Sequence, residues 1–404
     1  MERNEDCFTL NTGARIPAVG LGTWQADGAS CQAAVATALE VGYRHLDCAH
    51  LYGNENDVGQ ALSEALNGGV PGLKRDDLFV TSKLWCTTNA PKRIGRAVEI
   101  SLKNLGLQYL DLYLMHWPVF SPLGDATDPP SHRTDELLKP PPRRMEAAWR
   151  AMEELVSKGL VRAIGLSNFN ITQMEEILSY AKIVPAVNQV ELHPFWRQDK
   201  LVQYCHSKGI HLSAHTPLGI PGGRASGPAS SSEDAVESPA ASIVYSRSRS
   251  VHAPMLKSHV VAEIAEHLGR TPAQVILRWG VQRGTSVLPC SLRSDHIKNN
   301  LDILNWSLSE TDWNKINTLE PQLRLVDGNH SYLAEIGPLQ AVAETDAESI
   351  SGTDVDSIPE TDIEVVSEPE MEPIPETDPD AVHESDIEAG AEHDTNIRAF
   401  QSVP

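Results

Sequence analysis

The sequence predicts an α/β fold, a (β/α)8 barrel with an N-terminal β-hairpin, long loops and an acidic C-terminal tail. Eight short apolar runs alternate with segments of helical periodicity, which is typical of parallel strands joined by helices. Eight is also the strand count of a closed barrel. An open doubly wound sheet is the alternative, but its Gly-x-Gly-x-x-Gly turn is missing after the first strand. The predicted strands are 17–22, 44–47, 78–82, 110–116, 161–167, 186–190, 210–214 and 285–288.

Local signals mark the hairpin and two of the helices. Residues 10–15 have the composition of a hairpin turn ahead of the barrel. Apolar residues at helical spacing over 145–156 form one stripe, and Gly159 follows as a stop signal. Thr271, followed by a proline and then by Gln274, predicts an N-cap, a proline at the first helical position and a capping box. That helix is expected to run through residue 279.

The charge of the 404-residue chain is unevenly distributed. The formal net charge is −22, but residues 341–404 contain 19 acidic residues and one basic residue. Residues 1–340 have an ordinary globular composition and are predicted to form the barrel domain, with a long Ser/Gly/Pro-rich loop at 219–257. The tail contains no Leu, Trp, Tyr, Lys or Cys, so it has too little apolar surface to fold and is predicted to be disordered.

Composition also argues against several classes of protein. The acidic balance disfavours nucleic-acid binding, and no apolar run reaches the roughly 18–20 residues that span a membrane. The first residues do not resemble a secretory signal. The six cysteines form no Cys-x-x-Cys pair, so we expect reduced thiols, no metal site and a cytoplasmic protein. The tail is predicted to be a solvating segment, with docking to a basic partner as the alternative.

Four side chains that suit acid–base chemistry follow three neighbouring predicted strands. Asp47 and Tyr52 follow the second strand, Lys83 follows the third and His116 ends the fourth. Residues at the carboxyl ends of barrel strands meet at one face. We expect the Lys83 ammonium to lower the tyrosine pKa from about 10, Asp47 to orient the lysine, and His116 to hydrogen-bond a carbonyl oxygen. The group favours protonation of the oxyanion that forms when a carbonyl is reduced.

Two long motifs resemble signatures of the aldo-keto reductase superfamily. Residues 42–49, read on to Gly59, resemble the first signature, and residues 152–169 resemble the second. The similarity covers roughly residues 8–320 and is strongest to plant aldose/aldehyde-reductase-like members. It implies a (β/α)8 barrel that reduces aldehydes or ketones of small molecules with NADPH and without a metal, and a monomer.

The resemblance also implies residue roles. Tyr52 would be the proton donor, Asp47 and Lys83 its tuning pair and His116 the residue that orients the carbonyl. Ser167, Asn168 and Gln189 match positions that bind the nicotinamide carboxamide, and Trp24, Trp85 and Trp117 match the apolar walls of the substrate pocket. The other predicted cofactor contacts are His215, Thr216, Leu218, Ser291, Arg293, His296 and Asn300.

The sequence departs from the family at the cofactor site. His215 stands where the family has a tyrosine that stacks on the nicotinamide ring. Cys290 and His296 replace the lysine and arginine that hold the 2′-phosphate of NADPH. Loss of two charge-assisted contacts, each worth about 1.5–3 kcal/mol, would weaken NADPH binding and make NADH a possible cofactor. Arg293, or the arginines of the 247–249 run, could supply a replacement charge.

These departures raise an alternative function. A catalytically weak or inactive barrel could bind nucleotide and act as a regulatory or partner subunit. The intact Asp47, Tyr52, Lys83 and His116 set favours the enzyme instead.

Overall fold

The computed structural model describes residues 6–24, 26–86, 90–120, 142–219 and 254–326. The acidic tail, the 247–249 arginines and nearly all of the predicted 219–257 loop lie outside these residues.

The described strands form a small hairpin and an eight-stranded parallel sheet. β1 (Cys7–Thr9) and β2 (Arg15–Pro17) pair antiparallel, with Thr9 opposite Arg15, which confirms the predicted hairpin turn. The sheet follows chain order from first to last strand. Its strands are β3 (Leu21–Gly22), β4 (His45–Asp47), β5 (Phe79–Leu84), β6 (Leu110–Met115), β7 (Val161–Ser167), β8 (Val187–Glu191), β9 (His211–His215) and β10 (Ser286–Leu288).

Hydrogen bonds between the first and last strand segments close the sheet into a barrel. The Val287 amide donates to the Ala18 carbonyl at 2.9 Å, and the Gly20 amide donates to the Val287 carbonyl at 2.9 Å. The predicted (β/α)8 barrel is therefore confirmed and the open sheet was the wrong alternative. Gly20 is required here, because a Cβ atom on it would lie 2.7 Å from the His45 ring and from Leu288.

Helices follow the strands along the chain. Their bounds are α1 (Gly28–Val41), α2 (Glu55–Glu64), α3 (Pro91–Leu105), α4 (Pro142–Ser157), α5 (Ile171–Tyr180), α6 (Asp199–Ser207), α7 (His259–Leu268), α8 (Pro272–Gln282), α9 (Ser294–Leu301) and α10 (Glu310–Asn317). Short 3-10 helices cover His50–Tyr52, Arg75–Asp77 and Pro254–Lys257, and a π-helical turn covers Ala65–Gly69. Among the described helices, none is long and apolar enough to cross a bilayer.

The helix predictions hold in detail where side chains fix the ends. In α8 the Thr271 hydroxyl accepts from the Gln274 amide at 3.2 Å, and the Gln274 side chain accepts from the Thr271 amide at 2.9 Å. The capping box is thus present, and the helix runs three residues beyond the predicted end. In α4 the apolar stripe is buried against the barrel, and Gly159 adopts the left-handed conformation (φ 71°) just past the helix.

The first predicted strand, 17–22, is the main difference from expectation. Pro17 belongs to the hairpin, where it pairs with Cys7, and β3 contains only Leu21 and Gly22. The first residue of the predicted strand, Pro17, therefore belongs to the hairpin, and its last residues, Leu21 and Gly22, belong to the barrel. The consequence for function is small, since β3 still ends next to Asp47, with Gly22 paired to it.

Candidate active site

Asp47, Lys83 and Tyr52 meet at the carboxyl ends of β4 and β5. The Lys83 Nζ atom donates to Asp47 Oδ2 at 2.7 Å, to the Cys48 carbonyl at 2.9 Å and to the Tyr52 hydroxyl at 3.1 Å. Lys83 is fully buried, and Asp47 is nearly so. Strand β4 delivers the carboxylate and β5 the ammonium, while the 3-10 helix after β4 turns the phenol back over the lysine.

The three bonds of Lys83 determine what the Tyr52 hydroxyl can do. An ammonium has three N–H donors and no acceptor. The Tyr52 oxygen therefore accepts from Lys83, and the hydroxyl proton remains available to donate elsewhere. The other oxygen of Asp47 accepts from Gln189 Nε2 at 2.7 Å, so the carboxylate is fixed from two sides.

The expected lowering of the tyrosine pKa is wrong for this site. Burial of the hydroxyl raises the pKa of Tyr52 well above its ordinary value, and the Asp47 carboxylate raises it further. Sequence reasoning counted the lysine charge and left out desolvation, which opposes formation of a buried phenolate. Tyr52 is accordingly protonated at neutral pH, as a proton donor must be.

His116 lies beside Tyr52 at the end of β6. The two rings meet edge to face with centroids 5.9 Å apart, and Trp85 packs on His116 at 5.4 Å in the same manner. Burial lowers the pKa of His116 well below its ordinary value, and the Lys83 charge lowers it further. The imidazole is therefore neutral at pH 7, and its Nδ1 atom is buried with no hydrogen-bond partner among the described residues.

Ser167, Asn168 and Gln189 lie together at the ends of β7 and β8. Asn168, in the left-handed conformation (φ 65°), donates through Nδ2 to the His116 carbonyl at 3.0 Å and to Ser167 Oγ at 3.2 Å. The backbone amide of Asn168 also donates to the Gln189 backbone carbonyl at 2.9 Å. The three polar side chains are buried, and Gln189 links them to Asp47.

His215 extends this group to the end of β9. Its Nε2 atom bonds Asn168 Oδ1 at 2.9 Å and its Nδ1 atom bonds the Thr216 hydroxyl at 3.0 Å. Since the Asn168 oxygen is an acceptor, the proton of the neutral ring is on Nε2. Burial lowers the pKa of His215 to about 4, so the ring is neutral at pH 7. Leu218 is half-buried against the main core.

The residues after β10 form a looser group. Cys290 is an exposed residue, and its thiol donates to the Trp24 carbonyl at 3.1 Å. The Arg293 guanidinium pairs with Asp295 through Nη2 at 2.7 Å, and both side chains are more than half exposed. Ser291 Oγ accepts from the Arg293 amide at 3.2 Å. His296 is exposed, and Asn300 is buried.

The Tyr52 ring packs against an apolar cluster near the ends of β5 and β6. The cluster includes Trp85 and Trp117, two of the three residues predicted to form the substrate-pocket wall. The third, Trp24, is half-buried, and its backbone carbonyl accepts from Cys290. The buried members are Leu51, Trp85, Cys86, Trp117, Val119 and Val326.

Sequence reasoning missed two parts of this region. Glu191, the last residue of β8, is buried and accepts hydrogen bonds from the amides of Leu325 and Val326. The signal was an acidic residue at the end of an apolar strand, only two positions after Gln189. The contribution of Val326 to the apolar cluster had no signal, because it depends on a contact between distant parts of the chain.

Comparison with known proteins agrees with this geometry. The sequence profile described as "Aldo/keto reductase family" matches residues 18–321. The chain is 41% identical over 337 residues to aldo-keto reductase family 4 member C11 of Arabidopsis thaliana, covering 83% of this chain and 96% of that protein. It is 39% identical over 320 residues to human aldo-keto reductase family 1 member A1, covering 79% and 91%.

A solved structure gives the same result for the fold. The aldose reductase from Schistosoma japonicum superposes with a TM-score of 0.64 at 39% sequence identity, covering 78% of this chain and 94% of that one. The family profile, which matches residues 18–321, includes the strand ends described above. The chain therefore belongs to the aldo/keto reductase family and is an NADP(H)-dependent oxidoreductase of carbonyl compounds.

Proposed function

We propose that this enzyme reduces aldehyde or ketone groups of small molecules to alcohols, with Tyr52 as the proton donor. The observation that supports this role is the bond from Lys83 Nζ to the Tyr52 hydroxyl at 3.1 Å. That bond leaves the phenol proton free to point toward a substrate oxygen. It also places a cation where negative charge develops when the proton leaves.

The protein's part of the reaction is a proton transfer at one atom. Bound NADPH would supply the hydride for the carbonyl carbon from its reduced nicotinamide and leave as NADP+. As the substrate oxygen gains charge, the O–H bond of Tyr52 breaks, the proton moves to that oxygen and the electron pair stays on the phenol oxygen. A raised tyrosine pKa still permits the transfer, because an aliphatic alkoxide, like hydroxide, is a much stronger base than a phenolate. Lys83 stabilises the phenolate.

His116 is proposed to orient the substrate carbonyl. A neutral imidazole has one N–H donor, and it can hydrogen-bond a carbonyl oxygen without competing with Tyr52 as an acid. The edge-to-face contact with Tyr52 holds the two rings at the same face of the barrel. Trp85 and Trp117, in the apolar cluster, would exclude water from this point.

The nicotinamide end of the cofactor fits the polar group at β7 to β9. Ser167 Oγ accepts a bond from Asn168, so its own proton is left to donate. The side-chain amide of Gln189 donates through Nε2 to Asp47, so the Gln189 side-chain oxygen is left to accept. A donor and an acceptor side by side complement the carbonyl and amino groups of a carboxamide. We propose that Ser167, Asn168 and Gln189 hold that carboxamide, with His215 and Thr216 beside them.

The phosphate end offers a weaker fit. Cys290 supplies a neutral thiol, and the Arg293 charge is already paired with Asp295. A 2′-phosphate would compete with Asp295 for that guanidinium. We propose that the enzyme binds NADPH with weak discrimination against NADH, and that Ser291, Arg293, His296 and Asn300 contact the adenosine end.

The alternative of a barrel that only binds nucleotide lacks support in this geometry. A binding subunit has no need for a buried ammonium that bonds a carboxylate, a backbone carbonyl and a phenol at once. Ionic groups are expensive to bury, so such a cluster indicates catalysis.

Oxidation of NADPH with a generic aldehyde tests the proposal. We expect turnover by the wild type, and a loss of about 10²–10⁴-fold in kcat for Tyr52→Phe, which is the usual contribution of general acid catalysis. Nucleotide affinity, followed by quenching of tryptophan fluorescence, should be the same in both proteins. Equal kcat values would remove Tyr52 as the donor, and tight nucleotide binding without turnover in the wild type would favour the binding subunit.

A further inference from the structure

The chain returns to the active-site face after α10. Val326 is 2% exposed and packs in the apolar cluster with Trp85 and Trp117, next to Tyr52. The segment 319–326 has no helix or strand of its own. Its position therefore depends on contacts with the rest of the barrel.

One carboxylate holds the end of this segment. The Leu325 amide donates to Glu191 Oε1 at 2.7 Å, and the Val326 amide donates to Glu191 Oε2 at 2.7 Å. Two neighbouring amides on two oxygens of one carboxylate fix both the position and the orientation of the peptide. Glu191 itself is rigid, because it ends β8 and is paired there with His215.

The Glu191 carboxylate is held as an anion. It is 2% exposed, and His193 Nε2 lies 2.8 Å from Oε1. Burial alone would raise the pKa of Glu191, but the hydrogen bond and charge of His193 and the Leu325 amide together hold it below its ordinary value. Both oxygens are thus acceptors at neutral pH, which the two amides require.

The preceding residues have separate anchors. The Leu323 amide donates to the Phe195 carbonyl at 2.6 Å. Gln322 bonds the Pro194 carbonyl at 3.1 Å and accepts from the Arg197 amide at 2.8 Å. Loss of the Glu191 contacts would consequently release residues 325 and 326 and leave the rest of the segment attached.

We infer that Glu191 is a positioning residue for the substrate: it holds Val326 in the pocket wall and so favours aldehydes with a large apolar group. A pocket wall contributes binding only when it stays in place against the ligand. The inference rests on the proposed function, since it takes the cluster around Trp85 and Trp117 as the substrate pocket.

The first test is Glu191→Gln. The amide has one acceptor oxygen and one donor nitrogen, so one of the two backbone amides loses its acceptor. We expect KM for benzaldehyde to rise about tenfold, with kcat unchanged, and KM for the small polar glyceraldehyde to change less than twofold. Hydrogen–deuterium exchange of the amides of residues 325 and 326 should accelerate at least tenfold.

The second test removes a donor in place of the acceptor. Val326→Pro keeps a similar apolar volume but has no amide proton for Glu191 Oε2. It should reproduce the benzaldehyde effect while leaving Glu191 and its contact with His193 in place, so it decides the matter if Glu191→Gln fails to fold.

Glu153 provides the matched control. Its carboxylate, on α4, also accepts from two neighbouring amides, Lys182 at 2.6 Å and Ile183 at 2.9 Å. Glu153→Gln should lower Tm and leave both KM values unchanged.

Three results would overturn the inference: unchanged benzaldehyde KM in Glu191→Gln, an equal rise for both aldehydes, or a fall in kcat alone. Absence of turnover by the wild type would instead count against the proposed function. The exchange measurement then tests the role of Glu191 without an activity assay. Unchanged exchange of the amides of residues 325 and 326 in Glu191→Gln would show that Glu191 does not hold them in place.

Discussion

The two ends of the proposed cofactor site are built differently. At the carboxyl ends of β4 to β9 the polar side chains are buried and bonded to one another, with Lys83 and Gln189 both fixed on Asp47. After β10, Cys290 and His296 are exposed, and Arg293 pairs with Asp295 at the surface. Residues built into the barrel wall are constrained by many neighbours at once, whereas residues on an exposed loop can change with little cost to the fold. This difference accounts for a proposed catalytic group that resembles the family and proposed phosphate contacts that depart from it.

Replacing Lys83 should give the largest effect. Lys83→Met leaves the Asp47 carboxylate buried with one partner fewer and removes the cation beside Tyr52. We expect kcat to fall by about 10²–10⁴-fold and the free energy of unfolding to fall by about 3–5 kcal/mol. Lys103→Met, at an exposed position of α3, is the control and should change neither. Steady-state kinetics and urea denaturation measure the two effects, and an active Lys83→Met enzyme would contradict the proposed role of the lysine.

Restoring a cation after β10 tests whether the phosphate end of the site binds weakly because it lacks positive charge. Cys290→Lys places an ammonium at the position proposed to lie beside the 2′-phosphate. We expect the Kd for NADPH to fall about 10–100-fold, which corresponds to one charge-assisted contact, and the Kd for NADH to stay the same. Cys290→Ala should leave both constants unchanged. A Cys290→Lys variant with unaltered NADPH affinity would show that another group already binds the phosphate.

Acid should destabilise the barrel through its buried histidines. Burial lowers the pKa of His45 and His211 to about 3 and that of His215 to about 4, whereas an unfolded histidine titrates near 6.5. Below pH 6.5 the unfolded chain therefore binds protons that the native state excludes, so stability is full above that pH and declines toward pH 4. Each histidine contributes at most roughly 1.4 kcal/mol per pH unit.

The slope of Tm against pH measures this effect. His45→Gln should flatten the slope, because glutamine can still bond Thr81, which lies 3.0 Å from His45 Nε2. His259→Gln, at an exposed position of α7, should leave it unchanged. Equal slopes in all three proteins would contradict the account of the buried histidines.

Removing the partner of Arg293 should have the smallest effect. Asp295→Asn frees the guanidinium for a 2′-phosphate, but an ion pair this exposed is screened by solvent and contributes little. NADPH affinity should improve about two- to fivefold at low salt and less at high salt. The gain should vanish in the double variant with Arg293→Ala. A gain that persists there would mean that the negative charge of Asp295, and not the availability of Arg293, limits binding.

Most of the barrel could be predicted because local patterns determine it. The predicted strand at 161–167 coincides with β7, and those at 186–190 and 210–214 are displaced by one residue. Apolar periodicity marks a buried run well, but where pairing begins depends on neighbouring strands. The first strand was misjudged for this reason, since Pro17 pairs with a residue of the hairpin.

The candidate site was predictable in composition and less so in energetics. Asp47, Tyr52, Lys83 and His116 could be grouped because strand ends share one face of a barrel. The direction of the Tyr52 pKa shift could not be predicted, because desolvation depends on surroundings that a sequence does not show. Nor could the pairing of Arg293 with Asp295 or the contact of Glu191 with Val326, since both require side-chain and loop positions.

A double-mutant cycle of Tyr52→Phe and Lys83→Met tests most directly whether these two residues act as one proton-donating unit. Because Lys83 is proposed to assist the reaction through the Tyr52 oxygen, the kcat of the double variant should be close to that of Tyr52→Phe alone. If the two losses multiplied, Lys83 would be contributing to the rate independently of the tyrosine, and the proposed route of the proton would be contradicted.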